Sequence, residues 1–168
     1  MLGYVMAEGP GAVDALLAAL AERLQAEGRR VTGAVQINTD LPNDVKCRME
    51  LQLLPSGERV QISQSLGALS KGCRLNPEGL EQAVFQTEQG LDAGAELVLI
   101  NKFGKQEVEG RGFRTLIGEA LAQGVPVIVG VNAKNIAGFL DFAGEFAEEL
   151  APEGEALRDW CLETLRSD

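Results

Sequence analysis

The chain has 168 residues, 45% of them hydrophobic and 24% charged. That length and balance suit one compact domain and exclude a disordered chain, which lacks the apolar surface that offsets ordering entropy. The formal net charge of -10 repels a phosphate backbone, so general nucleic-acid binding is not expected.

The longest apolar runs, AELVLI and VPVIVGV, fall far short of the roughly 18 residues that cross a bilayer, so no membrane span is expected. No positive segment precedes an apolar run at the start, so a signal peptide is not expected either. The chain contains no histidine. Ser-His-Asp and Cys-His catalysis are thereby excluded, and the commonest zinc ligand is missing. Three cysteines, Cys47, Cys73 and Cys161, form no CxxC pair and fit a reducing cytoplasm better than a disulfide framework.

In chain order, residues 2–7 read as a short buried strand, followed by the turn Gly9-Pro10-Gly11. Val13, Leu16, Leu17, Leu20 and Leu24 recur at helical spacing, and Gly28 ends that helix. Residues 30–37 form a second strand, which completes a βαβ unit of a parallel sheet. Residues 47–54 and 58–63 flank Pro55-Ser56-Gly57 and predict a hairpin. The stretch from Gln64 to Leu75 reads as a loop. Asn76 and Pro77 then supply an N-cap and a first helical residue for a helix reaching about Asp92.

Residues 95–101 are a buried strand, and 102–112 a loop. Phe113, Leu116, Ile117, Ala120 and Leu121 share a helix face, and Gly124 closes that helix. Residues 125–131 are another buried strand. Two helices finish the chain, one carrying Ile136, Phe139, Leu140, Ala143 and Ala147, the other Ala156, Leu157, Trp160, Cys161 and Leu165. The expected architecture is a single three-layer α/β domain, a mostly parallel sheet with an inserted hairpin.

Open α/β sheets bind ligands beyond the carboxyl ends of their strands. Three segments follow the predicted parallel strands: 8–14, 101–114 and 132–135. The second holds Lys102, Lys105, Arg111 and Arg114, and Lys71 and Arg74 precede the helix at 77. Such a patch in an acidic chain suits a small anion, although Glu107 and Glu109 stand beside it and would neutralise it. A Gly-rich turn also places backbone amides around phosphate, here at Gly9, Gly11 and Ala12. A working phosphate loop needs a Lys and a Ser/Thr where this chain has Asp14 and Ala15. The favoured reading of Asp14 is structural: it satisfies free amides and the helix dipole in the first turn. Cys73, between Lys71 and Arg74, is a candidate reactive thiol or soft ligand; the alternative, favoured more strongly for Cys161, is a small buried hydrophobe.

The segments VQIN at 35–38, SQSLG at 63–67, KGCRLNPEGL at 71–80 and INKFGKQEVEGRGFR at 100–114 carry a resemblance. Over nearly its whole length the chain resembles the bacterial family called domain of unknown function 2478. That family is placed among P-loop NTPase-like proteins and is similar in turn to small nucleoside-triphosphatases of the THEP1 type. The resemblance implies a P-loop NTPase-like fold. It puts Gly9-Pro10-Gly11 at the phosphate loop and Ile100-Asn101-Lys102 at the end of the Walker B strand. Asp14 then stands where the Lys belongs, and Asn101 and Lys102 replace the acidic pair that would hold magnesium and orient water.

The expectation is a non-catalytic domain that binds a small anion or nucleotide, such as phosphate or molybdate, near Gly9, Gly11, Ala12, Lys102, Lys105, Arg111 and Arg114. The family's association with molybdenum-handling genes implies a role in molybdenum metabolism. Two alternatives stay open: a divergent nucleoside-triphosphatase using Lys102 or Lys105, and a homo-oligomeric interaction module without a ligand.

Overall fold

The computed structural model describes residues 1–39, 48–65 and 73–166. Cys47 and Lys71 lie outside the described residues, and so do the side chains of Cys73 and Arg74, so the reactive-thiol reading of Cys73 falls there as well.

The first strand, β1 (Leu2–Val5), is buried along its length. The turn after it reverses through Gly9 and Gly11, with φ of 96° and 71°. A side chain at either position would be strained, which is why glycine stands on both sides of Pro10. Helix α1 (Ala12–Ala26) follows, burying Leu17, Leu20, Ala21 and Leu24. Strand β2 (Val31–Thr39) completes the βαβ unit that the sequence predicts.

The predicted hairpin is present. β3 (Arg48–Leu54) pairs antiparallel with β2, and β4 (Arg59–Gln61) pairs antiparallel with β3. The expected loop from Gln64 to Leu75 is wrong at both ends. β5 (Ser63–Ser65) and β6 (Cys73–Leu75) pair antiparallel in a small second sheet. Three-residue strands carry too little alternation to register as a period in sequence.

Helix α2 (Pro77–Asp92) begins as predicted: the Asn76 side chain accepts the Glu78 N–H at 3.1 Å, and Pro77 occupies the first turn. β7 (Leu97–Phe103) runs two residues further than expected. The following segment is not simply a loop, because it holds the one-turn helix α3 (Lys105–Val108). Next come α4 (Arg114–Ala122), β8 (Val127–Val131) and α5 (Ile136–Ala143). The predicted helix through Ala147 stops at Ala143. Gly144 turns the chain at φ 59°, and Ala147–Leu150 form β9, paired in parallel with β1. Helix α6 (Gly154–Arg166) closes the described chain.

The main sheet has seven strands in the order β4-β3-β2-β7-β8-β1-β9. The five strands from β2 to β9 in that order are mutually parallel. β7 and β8 sit in the middle and are continuous apolar runs, as strands covered on both faces must be. One face packs Leu80, Ala83, Leu116, Ile117 and Phe139 from α2, α4 and α5. The other packs Leu17, Leu24, Leu157, Trp160 and Cys161 from α1 and α6. The result is the expected three-layer α/β architecture. Among the described residues no helix is long and apolar enough to cross a membrane.

The helix arrangement fixes where a site belongs. The chain leaves β1 toward the α1 face, and it leaves the adjacent β8 toward the α5 face. The two connections diverge, and a crevice opens between them at the strands' carboxyl ends.

Candidate functional site

A cleft of about 620 Å³ occupies that crevice. Its walls are the β1–α1 turn from Met6 to Gly11, the first turn of α1 at Val13 and Asp14, and the end of β8 at Val131–Ala133. Asn101 and Lys102 close it from β7. A second cleft of about 290 Å³ lies on the other side of those two residues. It is floored by Met49, Leu51, Ile62, Leu75, Leu80 and Phe113, and rimmed by Gln36, Lys105, Gln106 and Asn135. Asn101, Lys102 and Asn132 line both clefts, so the end of β7 is their shared wall.

Asp14 does not act as the cap that the sequence reading favours; α1 has no side-chain cap hydrogen bond. Its two carboxylate oxygens accept instead from Asn101 Nδ2 at 2.9 Å and from Asn38 Nδ2 at 2.6 Å. Asn38 in turn accepts from Gln36 Nε2 at 2.9 Å. A chain of carboxamides from β2 and β7 therefore clasps the start of α1. Its position in the first turn still suits the helix dipole. Asn101 is fully buried, and its side-chain Oδ1 has no hydrogen-bond donor among the described residues. Gly130 allows this packing, because a Cβ there would crowd Val13, Leu17 and the Asn101 carbonyl.

The predicted cationic patch divides in two. Lys102 is half-buried in the shared wall and makes no ion pair with any described residue. Lys105 is exposed on the rim of the smaller cleft, 3.9 Å from Glu109. Arg111 and Arg114 line neither cleft. Arg111 pairs with Glu109 and donates to Gln106 Oε1 at 2.9 Å. Arg114 donates to the carbonyls of Glu107 and Val108, both at 3.2 Å, and lies 4.9 Å from the centre of the Phe142 ring. Both arginines bind the protein's own loop. Of the three backbone groups expected to cradle an anion, Gly9 and Gly11 line the larger cleft, while the Ala12 N–H bonds back to the Gly9 carbonyl at 3.3 Å.

Glu107 is the residue that sequence reasoning misses. It is 3% exposed and accepts the Gly104 N–H at 3.0 Å and the Phe113 N–H at 3.3 Å. Burial pushes its carboxyl above the ordinary range, although the amide bonds pull the other way. Gly112 packs so closely that a Cβ there would overlap the carboxylate. The long motif from Gly104 to Arg114 thus folds around its own carboxylate. The signal was legible, since a glutamate three residues after Gly104 is the N3 position of a capping arrangement.

Magnesium does not fit these residues. The Asp14 carboxylate is engaged by two amides, Asn101 offers a neutral oxygen, and Lys102 carries positive charge where a second acid would stand. Among the described residues no group of three or more acidic or cysteine side chains is placed to hold a metal. The larger cleft is also lined by Glu8, so Lys102 faces two carboxylates there. Cys161 is fully buried, and burial pushes its thiol up to about 12, which makes it an inert core group.

The fold matches a solved structure of a human cancer-related nucleoside triphosphatase with a TM-score of 0.67, over 99% of this chain and 97% of that one, at 17% identity. The architecture is therefore P-loop NTPase-like. The molybdenum import ATP-binding protein ModC 2 of Bradyrhizobium diazoefficiens is 32% identical over 152 residues. That alignment covers 90% of this chain but only 17% of the ModC 2 protein. The model of the family described as protein of unknown function (DUF2478) matches residues 2–160, and the chain belongs to that family.

Proposed function

We propose that this protein is a P-loop NTPase-like domain that binds a small anion or nucleotide at Lys102 without hydrolysing it. One observation carries the reading. Asn101 donates to the Asp14 carboxylate, and the family resemblance sets Asp14 in the place of the phosphate-loop lysine and Asn101 in the place of the Walker B acid. The two substitutions answer each other. An interaction of lysine with phosphate and of aspartate with magnesium has become an internal hydrogen bond, so the clasp stabilises the fold and removes the acid that would orient the attacking water. Lys102 remains, half-buried and without an ion pair among the described residues, at the point where both clefts meet. The ATP-binding and molybdenum-import description of the Bradyrhizobium relative supports nucleotide or molybdate as the anion, and with it a role in molybdenum metabolism.

Calorimetry of the wild type and Lys102→Ala against phosphate, molybdate and ATP at low salt tests this. At least one anion is expected to bind, with affinity at least roughly tenfold lower in the variant, the scale of one lost charge-assisted contact. Phosphate release from ATP or GTP with magnesium is expected to stay at background. Unchanged affinity in the variant, or robust turnover that the variant loses, would overturn the proposal.

A further inference from the structure

The two clefts differ in chemistry, and the difference selects a ligand. Among the described residues, the larger cleft sets Glu8 and Asp14 against the single cation Lys102. A multiply charged anion lying wholly in it would meet two carboxylates. The smaller cleft has the opposite balance. Lys102 and Lys105 line it, and its one acidic lining residue among those described, Glu107, is buried with both oxygens bonded to backbone amides. Its floor is apolar and drawn from three separate parts of the fold. Met49 and Leu51 come from β3, Ile62 and Leu75 from the small second sheet and its edge, and Leu80 and Phe113 from α2 and the start of α4. A concave apolar floor with a few convergent polar groups is the usual form of a small-molecule site.

We infer that the smaller cleft takes the body of an aromatic monoanion, whose charged head sits at Lys102 and Lys105. Lys102 is then the point shared with the anion site proposed above, and this inference rests on that reading. The aromatic body lies over the floor around Leu75 and Phe113. The head points back to the wall of β7, away from Glu8 and Asp14. Inorganic anions use the lysine alone and gain nothing from the floor.

Titration of the full chain with 1-naphthoate, acetate and inorganic phosphate tests the assignment. 1-Naphthoate is expected to bind roughly 10–100-fold more tightly than acetate, because its ring buries apolar area that acetate lacks. Lys102→Met is expected to weaken naphthoate at least roughly tenfold, the scale of one charge-assisted contact. Leu75→Trp, which fills the cleft from a half-buried position, is expected to weaken naphthoate to a similar extent. Thermal unfolding of both variants reports whether the fold is kept. If Leu75→Trp fails to fold, displacement of 8-anilinonaphthalene-1-sulfonate from the wild type by naphthoate, and not by acetate, gives the same answer. Naphthoate binding no tighter than acetate, or unmoved by Lys102→Met, overturns the inference. Phosphate binding that depends on Lys102 would then leave the anion-site reading standing, and its absence would remove that reading as well.

Discussion

At the scale of single residues, Glu107 shows how a buried charge is made tolerable. A carboxylate at 3% exposure is costly unless its lone pairs are answered, and two backbone amides answer them. Removing it strands both amides, so Glu107→Ala is expected to lower unfolding free energy by about 2–4 kcal/mol, measured by chemical denaturation. The pH dependence has a definite sign. Burial raises the native carboxyl above its ordinary value of 4.5, so the folded state holds this proton more tightly than the unfolded chain. The stability it contributes is full below about 4.5 and falls as pH rises through the raised native value. The stability difference between wild type and Glu107→Gln should therefore shrink with rising pH across that window. A flat difference would show that the site does not titrate as described. Asp14 teaches a different lesson. Its identity was legible in sequence, but its partners were not, because Asn38 and Asn101 reach it from β2 and β7, 24 and 87 residues away.

At the scale of elements, what sequence periodicity caught and missed follows from length. β1, α1, β2, α2, β7, α4 and β8 each bury enough apolar side chains to leave a pattern. β5, β6 and α3 have three or four residues and leave none, whereas the equally short β4 is marked by the Pro55-Ser56-Gly57 turn before it. β9 failed for another reason. Ala143 and Ala147 lie four apart, which mimics a helix face, while Glu148 and Glu149 hide the strand. The packing of β2 on β7 turns on one position. Gly33 has φ 139°, and a Cβ there would overlap the Leu99 carbonyl of the neighbouring strand. Gly33→Ala is expected to cost more than about 3 kcal/mol, seen as a loss of denaturation midpoint or of soluble folded protein. The candidate site was legible at the same resolution. Of the cations in the predicted patch, Lys102 lines the shared wall, whereas Arg111 and Arg114 line neither cleft. Helix α3 turns them instead toward Gln106, Glu109 and its own carbonyls.

At the scale of the whole molecule, the parallel order of five strands gathers every strand end used by the site onto one edge, and the antiparallel β3 beyond them helps floor the second cleft. The same order leaves β4 and β9 as the sheet's outer strands. β4 has three residues, with Arg59 and Gln61 exposed. β9 has four and exposes Glu148 and Glu149 in succession. Unpaired strand edges are templates on which other chains add, and short, charged edges resist it. A second copy approaching β9 edge to edge would set its own glutamates against these, within a chain whose net charge is already -10. Replacing both, as in Glu148→Val with Glu149→Thr, is expected to promote fibrillar self-association at neutral pH, read as thioflavin fluorescence and light scattering. Wild type under the same conditions should stay dispersed. The acidic strand that escaped detection in the sequence would then be the feature that keeps the protein from polymerising.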